Sequence, residues 1–556
     1  MSLLHDGKSG QNSCEWYDSD LSDDGTTTMV SKNEQPVTQI TSRDFSRDPV
    51  PLSSVAVHLH PDDDVAIATS DLIPGRTLNG PWGELRIGRL VPAGHKLALR
   101  SLAAGDAIHR YGQVIGFATT AINPGDHVHS HNVAVQQFSR IPEFGTDVRP
   151  AVLEPESARR TFKGFLRPDG RVGTRNYVAV ISTVNCSATA TRGIAERFRG
   201  IGDAFPHVDG VIALTHKAGC GARYGGHEID QLQRTLAGFA RHPNVGGYVI
   251  VGLGCEINQV QDLITRHDLQ ADAPPIVVIQ NEGGLQDTVE AGTRAVESLL
   301  PMVDACRRAE QGADQLVVAL QCGGSDGWSG VTANPALGYA ADQIVREGGT
   351  VVLGETPEVY GAEHLLTRRA VSAEVGEALL ERIRWWEQHT ASLGCEIDNN
   401  PTPGNKAGGL TTILEKSLGA IAKSGTTPLT AVYGYAERIT AKGFVHMDTP
   451  GYDPVSVTGQ VAGGCNIVAF TTGRGSAFGF KPAPSIKIAS NSSLSVRMRG
   501  DMDINAGRML DGASLADVGD EIFERILAVA SGARTKSEAQ GVGEEEFNPW
   551  ILGATL

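Results

Sequence analysis

The sequence predicts an α/β protein of several domains: a small all-β module first, a parallel α/β domain in the centre and a further α/β domain at the C-terminal end. Three observations lead there. Between residues 51 and 140, short β-prone runs (VAVHLH, DVAIAT, ELRIGRL, KLALRSL) alternate with PG, AG and NPGD turn signals and show little helical periodicity. From Phe162 onward, apolar runs alternate with helical stretches such as TRGIAERFR, EIDQLQRTLAGFARH and PALGYAADQIVREG, the pattern of crossover-connected parallel strands. Four of those apolar runs close on a cysteine: YVAVISTVNC, VIALTHKAGC, GYVIVGLGC and LVVALQC, ending at Cys186, Cys220, Cys255 and Cys322.

Taken in order, residues 1–50 are polar and acidic, with DSDLSDDGTTT among them, and read as a disordered tail rather than a targeting peptide. Residues 51–140 form the β module, and the proline-containing stretch 141–161 reads as a linker. The parallel α/β domain is expected over 162–395, closed by the helical run EVGEALLERIRWWEQHTASLG. The third domain, 396–556, opens on NNPTPGNKAGGL, carries the strands LTAVYGY, NIVAFTTGRGS and SIKIASNS, and ends in the amphipathic SLADVGDEIFERILAVASG. At roughly 100–200 residues per domain, three domains suit a chain of 556 residues.

Composition narrows the function. Hydrophobic residues at 40% and charged residues at 20% describe an ordinary globular chain with ample core. A formal net charge of −16 argues against nucleic acid or an anionic membrane as partner. No apolar run approaches the roughly 20 residues of a membrane span. Eight scattered cysteines do not form a secreted disulfide framework, so the cytoplasm is the expected address.

The cysteines at Cys186, Cys220, Cys255 and Cys322 are 34, 35 and 67 residues apart, close to one, one and two βα units. Parallel strands share a carboxyl edge, where open α/β sheets bind ligands, so the four thiols are expected on one sheet edge as a soft-metal or iron–sulfur set. Plain packing of small apolar cysteines at strand ends is the alternative, and a structural zinc site, which lacks paired CxxC spacing, is a further one. In DHVHSHN, alternation along a strand would put His127, His129 and His131 on one face, as metal ligands, acid–base groups or a solvated edge. His95, beside Lys96 in PAGHK, is a candidate base.

Three glycine-rich stretches supply polar side chains. GFLRPDGRVGTRNY holds Arg175 just before a strand, as a bidentate carboxylate holder or a structural turn. QCGGSDGWSGVTANP offers Ser325, Asp326, Thr332 and Asn334 ahead of a helix, denser in small polar groups than a turn needs. PTPGNKAGG contributes Asn405 and Lys406, and FTTGRGS places Arg474 after a strand, a second carboxylate holder. GxSxG, HExxH, a phosphate loop and a well-placed GxGxxG are all missing.

These motifs together resemble the altronate dehydratase / galactarate dehydratase family of sugar-acid hydro-lyases. The matching pieces are HPDDDVAIA, PAGHKLAL, RYGQVIGFA, GDHVHSHN, DGRVGTRN, THKAGCG, VGLGCEINQV, CGGSDGWSGVTANP, NPTPGNKAGG and TTGRG, spread over about residues 55 to 510. Asp64 departs from the family's usual asparagine, and the acidic tail is extra. The resemblance implies an N-terminal SAF (β-clip) domain, a larger catalytic region and an iron(II)-dependent dehydration, with mononuclear iron or a cluster both open. GDHVHSHN and GGSDGWSGVTANP look more like the altronate than the galactarate branch; sulfolactate sulfo-lyase is a further relative.

On that basis the expected substrate is a sugar acid, D-altronate first, converted to a 2-keto-3-deoxy acid by loss of the C2 proton and the C3 hydroxyl. His95, His129, His131 and Asp326 are the candidate catalytic groups. Arg175, Ser325, Thr332, Asn334, Asn405, Lys406 and Arg474 are the candidate substrate holders, and Cys186, Cys220, Cys255 and Cys322 the candidate metal ligands. A non-catalytic sugar-acid sensor is the reading from another class, and a homo-oligomer is left open.

Overall fold

A computed structural model describes residues 49–136 and 141–552. The acidic tail therefore lies outside the described residues up to position 48. Residues 50–134 form three small sheets. One joins Val50–Pro51, Thr77–Gly80 and Gly83–Arg86; a second joins Ala56–Val57, Val65–Ala68, Lys96–Ala98 and His127–Val128; a third joins Ala107–Arg110, Gln113–Ala118 and Val133–Ala134. Alternation along the strands splits their side chains between two cores. Ala66, Ala68, Leu97 and Leu99 fill the module's own centre with Leu72 and Leu78, whereas Val65, Ala98, Ile108 and Ile115 join the main core beside Leu418 and Ile421. The module is thus packed onto the rest of the chain, not tethered to it.

Four parallel strands follow, in spatial order Gly210–Leu214, Tyr177–Ser182, Val245–Gly252 and Ile276–Val278. Helices cover both faces, which is why these strands read as unbroken apolar runs. Val178, Val180, Val249 and Val251 pack under helices Ala188–Glu196 and Leu285–Ala305. Ala179, Ile181 and Ile250 pack under helix His227–Ala240.

Strand Val317–Cys322 starts a second sheet of seven parallel strands. Their order is Leu429–Tyr433, Gly443–Met447, Thr350–Leu353, Val317–Cys322, Ile467–Thr472, Ser485–Ala489 and Ile504–Asn505. The expected boundary at 395/396 falls inside this sheet, and the real change of sheet comes between Ala305 and Val317. Helix Ala373–Ser392 does not close a domain; it lies between two strands of the same sheet. Sequence periodicity reports alternating strands and helices but not which strands pair, so the divide was invisible to it.

The two sheets stand side by side. Helices His227–Ala240 and Asp453–Ala462 run along each other in the apolar cluster between them, with Gly238 close against Ala462. At their amino edges the sheets are bonded directly: His242 Nε2 pairs with Cys465 O at 3.0 Å and Asn244 Nδ2 donates to Asn466 O at 3.1 Å. Both carboxyl edges therefore face the same side.

Candidate functional site

In the large sheet the chain enters at the central strand Val317–Cys322, winds to one side, then crosses to Ile467–Thr472 and winds to the other. This reversal leaves a crevice outside the carboxyl ends of those two strands, the usual ligand position in open α/β sheets. The loops that leave there are Gly323–Trp328 and Gly473–Arg474. Two further segments close over them: helix Pro403–Ala407 with the glycines after it, and the edge of the β module that carries His95. Gly327 N–H donates to Gly408 O at 2.8 Å, and Arg474 N–H donates to Gly324 O at 2.7 Å. Backbone meets backbone so closely that a Cβ on Gly327 would collide with Gly94 O, and one on Gly473 with the Asp326 side chain. Four regions scattered over nearly 400 residues of sequence thus share one surface.

The NKAGG segment, read as a loop, is a short helix. Thr402 accepts from Asn405 N–H, the Asn405 side chain accepts from Thr402 N–H, and Pro403 occupies the first helical position. Asn405 Nδ2 then donates to Ser325 O at 2.8 Å, tying this helix to the Ser325–Asp326 loop.

The histidine run differs from the expected strand. Only His127–Val128 is strand; His129 to Asn132 turn back, with His129 N–H donating to Asn132 Oδ1 at 2.9 Å. The turn nevertheless gathers the rings. His95 lies 5.1 Å from His127 and 5.0 Å from His129, and His131 lies 5.4 Å from His127, between ring centres. His95 Nδ1 and His127 Nε2 are 3.1 Å apart, and His129 Nε2 meets Lys406 O at 2.9 Å. Burial, reinforced by neighbouring imidazoles, lowers His95 to about 4 and His127 to about 3. Burial also lowers His129. The inner rings are therefore neutral at physiological pH, the form that binds metal. His131 is exposed.

Beneath the His95 edge, three fully buried charges lock the module in place. Lys96 Nζ lies 2.8 Å from Glu415 Oε1 and donates to Glu415 Oε2 at 2.9 Å, while Arg110 donates to Glu415 Oε1 and, at 2.7 Å, to Gly327 O. Burial alone would raise the Glu415 carboxyl, but the two cations hold it at about 2.

Several predicted site residues turn out to support the fold. Asp326 accepts from Trp328 N–H, Ser329 N–H, Ser329 Oγ, Ser490 Oγ and Asn491 Nδ2, so both oxygens are spoken for and it shapes the loop instead of moving protons. Thr332 donates to Ser490 O, and Asn334 bridges Gly419 O and Thr471 Oγ1. Arg175 is buried with its guanidinium on Glu538, Thr174 O, Val529 O and Ala533 O, leaving nothing for a carboxylate. The structural-turn alternative holds for that loop. Lys406 and Arg474 keep side chains with no protein partner among the described residues; Lys406 sits on the helix, and Arg474 on a loop, that border the crevice.

The four cysteines do not share one sheet edge. Cys186, Cys220 and Cys255 are exposed at the carboxyl edge of the four-stranded sheet; Cys322 is buried on the other sheet. Its thiol, pushed far up by burial, accepts from Lys423 Nζ at 2.8 Å and lies 3.4 Å from Glu358 Oε2 and 3.7 Å from Glu355 Oε2. Cys322, Glu355 and Glu358 are close enough together to hold an ion. The ammonium of Lys416, 2.6 Å from Glu358 Oε1, and that of Lys423 already stand where a cation would. A divalent ion does not fit that set.

Apart from Cys322, this buried group, with Asp453 beside Gly323, escaped the sequence reading. Burial and Glu358 raise Glu355 to about 8, and burial and Glu358 raise Asp453 to about 7. Glu355 also holds a left-handed backbone at φ +61°, rare for a side chain this size and a mark of functional sites. The readable signal was two lysines seven apart in the otherwise apolar helical run ILEKSLGAIAKSG, which places both on one face.

Comparison with known proteins agrees with this architecture. Three family models match in succession: "Altronate/galactarate dehydratase SAF domain" over residues 54–136, "D-galactarate dehydratase/Altronate hydrolase, second domain" over 164–304, and "D-galactarate/Altronate dehydratase, C-terminal" over 313–555. An altronate dehydratase of Bacillus subtilis (strain 168) is 35% identical over 489 residues, covering 87% of this chain and 96% of the relative. The chain belongs to the altronate/galactarate dehydratase family. A galactarate dehydratase (L-threo-forming) of Escherichia coli (strain K12) is 38% identical over 507 residues, covering 89% of this chain and 96% of its own length. The beta subunit of a (2R)-sulfolactate sulfo-lyase of Chromohalobacter salexigens is 32% identical over 395 residues, 70% of this chain and 96% of that subunit. The family's domain limits coincide with the change of sheet seen here, at 304–313 rather than 395. No helix among the described residues is long and apolar enough to cross a membrane.

Proposed function

We propose that the chain is a hydro-lyase that removes water from a sugar acid to give a 2-keto-3-deoxy acid. The observation that carries the reading is the neutral imidazole cluster of His95, His127 and His129 closing over a switch-point crevice flanked by two unpaired cations, Lys406 and Arg474. The C2 proton of a sugar acid is weakly acidic because its neighbour carboxylate is already an anion. Its removal builds a second negative charge, which cationic groups and a Lewis acid stabilise. Lys406 and Arg474 hold carboxylate, while the exposed His131, with no hydrogen-bond partner among the described residues, exchanges protons with the reacting carbons.

Iron(II) belongs to the proposal, and one pair of imidazole nitrogens fits it. Nitrogens sharing one ion with bonds of about 2.0–2.1 Å lie about 3.0–3.4 Å apart; His95 Nδ1 and His127 Nε2 are at 3.1 Å. Those two would hold the ion, which would polarise the carboxylate or the leaving hydroxyl. Among the described residues no third His, Cys, Asp or Glu atom lies within 4.8 Å of both, so its remaining positions would go to substrate and water. The protein's part is to keep the imidazoles neutral and fixed through the Lys406 and Ala407 carbonyls.

D-Altronate is the first substrate to test. Galactarate is the second, since the galactarate dehydratase of Escherichia coli is as similar as the altronate enzyme and two free cations suit a diacid. The experiment measures 2-keto acid release from a panel of five- and six-carbon sugar acids with Fe²⁺ under reducing conditions. Release from one or a few acids, abolished in His127→Ala, supports the reading. A folded, iron-loaded chain that binds these acids and turns over none would leave it a sensor.

A further inference from the structure

We infer that Cys186, Cys220 and Cys255 are the ligands of an iron–sulfur cluster with one iron left unligated by cysteine, a site separate from the imidazole cluster. Each cysteine sits in the loop that leaves one of three adjacent parallel strands: Tyr177–Ser182, Gly210–Leu214 and Val245–Gly252. The loops are bonded to one another. Asn185 N–H donates to Ala218 O at 3.0 Å, Asn258 N–H to Gly219 O at 2.9 Å, and Asn258 Nδ2 to Thr183 O at 2.8 Å. His216 Nε2 pairs with Ser182 O at 2.9 Å, and Thr183 Oγ1 donates to Glu256 Oε1 at 2.8 Å. Gly219 takes φ +99°, and a Cβ there would collide with Thr183 O, so the close approach of the first two loops requires glycine. This is a rigid frame, and the thiols are what it presents.

Cysteine is among the most buried residue types, so three exposed thiols on one edge need a reason. Their spacing decides between metals. Sulfurs around a single tetrahedral ion with bonds of about 2.3 Å stand about 3.8 Å apart. Among the described residues, no group of three ligand atoms including these sulfurs falls within 4.8 Å. Adjacent strands are about 4.8 Å apart, which puts their loops at the separation a multi-iron cluster bridges. Cys186 lies one residue before the N-cap Ser187 of helix Ala188–Glu196, whose amino end favours the negative charge of bound thiolate. Each thiol gives up its proton on binding. Because both carboxyl edges face one side, the cluster lies on the face that also carries the crevice; any part it takes in dehydration rests on the hydro-lyase reading above.

The test uses the full chain, purified without oxygen and reconstituted with equal amounts of Fe²⁺ and Fe³⁺ and with sulfide. Iron and acid-labile sulfide are then assayed, with the visible spectrum and the electron paramagnetic resonance of the reduced protein. About four iron and four sulfide per chain are expected, beyond any iron held at the histidines. Cys186→Ala, Cys220→Ala and Cys255→Ala each lose the sulfide and the visible band, while Cys395→Ala keeps both. Alkylation of the unsubstituted chain guards against variants that fail to fold: loading should protect Cys186, Cys220 and Cys255 and leave the exposed Cys395 reactive. A sulfide-free wild type, or full sulfide in Cys220→Ala, overturns the inference. A cluster-loaded chain idle on every sugar acid would overturn the hydro-lyase reading and leave the cluster standing; a cluster-free chain that dehydrates would do the reverse.

Discussion

Replacing Glu415 by glutamine should loosen the β module from the crevice it covers. Lys96, Arg110 and Glu415 are all fully buried, and the one carboxylate balances both cations. It also accepts Thr411 N–H at 2.8 Å and Thr411 Oγ1 at 2.6 Å, so its shape is fixed by four donors. Breaking a buried pair from one side costs about 3–5 kcal/mol, because the partner is left charged and dry. An independent route gives a similar figure: a carboxyl with an ordinary value of 4.5 held at about 2 contributes about 3 kcal/mol at neutral pH. The sign follows from the depressed value. The contribution is complete above pH 4.5 and fades as pH falls toward 2, where folded and unfolded carboxyls are both protonated. Glu415→Gln should therefore lower the first urea-unfolding transition by about 3–5 kcal/mol at pH 7. It should also remove this site's share of the acid-induced loss between pH 4.5 and 2. A variant within about 1 kcal/mol of the parent would mean that this triad behaves like a surface pair, and the reasoning would fail.

Other perturbations separate holding, chemistry and folding. Lys406→Ala and Arg474→Ala should each raise KM for the sugar acid about 10- to 100-fold, a charged hydrogen bond being worth about 1.5–3 kcal/mol, with the fold unchanged by circular dichroism. Arg175→Lys should do the opposite: lower thermal stability by disrupting its two-pronged pair with Glu538, and leave KM alone. Lys423→Met should destabilise the chain by about 3–5 kcal/mol at neutral pH, since Cys322, Glu355 and Glu358 lose a buried cation; denaturant unfolding reads this directly.

The architecture was largely legible because its signals are local. Most parallel strands are β-branched runs closed by glycine or polar residues, the β module is a succession of turn signals, and Ser514 with Asp517 caps the amphipathic helix Leu515–Ala530 that the sequence announced. Pairing is not local, and there the sequence misled. Four cysteines at regular spacing looked like one edge, yet Cys322 belongs to a second sheet that begins after Ala305 without any change in composition. Small polar residues in glycine-rich loops were equally ambiguous. Asp326 and Lys406 look alike as site candidates, but one is consumed by three donors in its own loop and two from the distant Ser490 and Asn491, while the other is left free, a difference that only the folded chain makes visible.

The same argument explains why the site is assembled from glycines. The His95 edge, the Trp328 loop, the helix carrying Lys406 and the Arg474 loop approach until main chain touches main chain. At Gly94 a Cβ would stand 3.0 Å from Trp328 Nε1, and at Gly408 it would stand 3.0 Å from the Asp326 Cβ and 3.1 Å from the Arg474 Cδ. Bulk at any one position would push the imidazoles away from the cations without removing a single polar group. The geometry that chemistry requires is therefore encoded in residues with no chemistry of their own, and in the buried Lys96–Glu415–Arg110 triad that clamps three of the four pieces together.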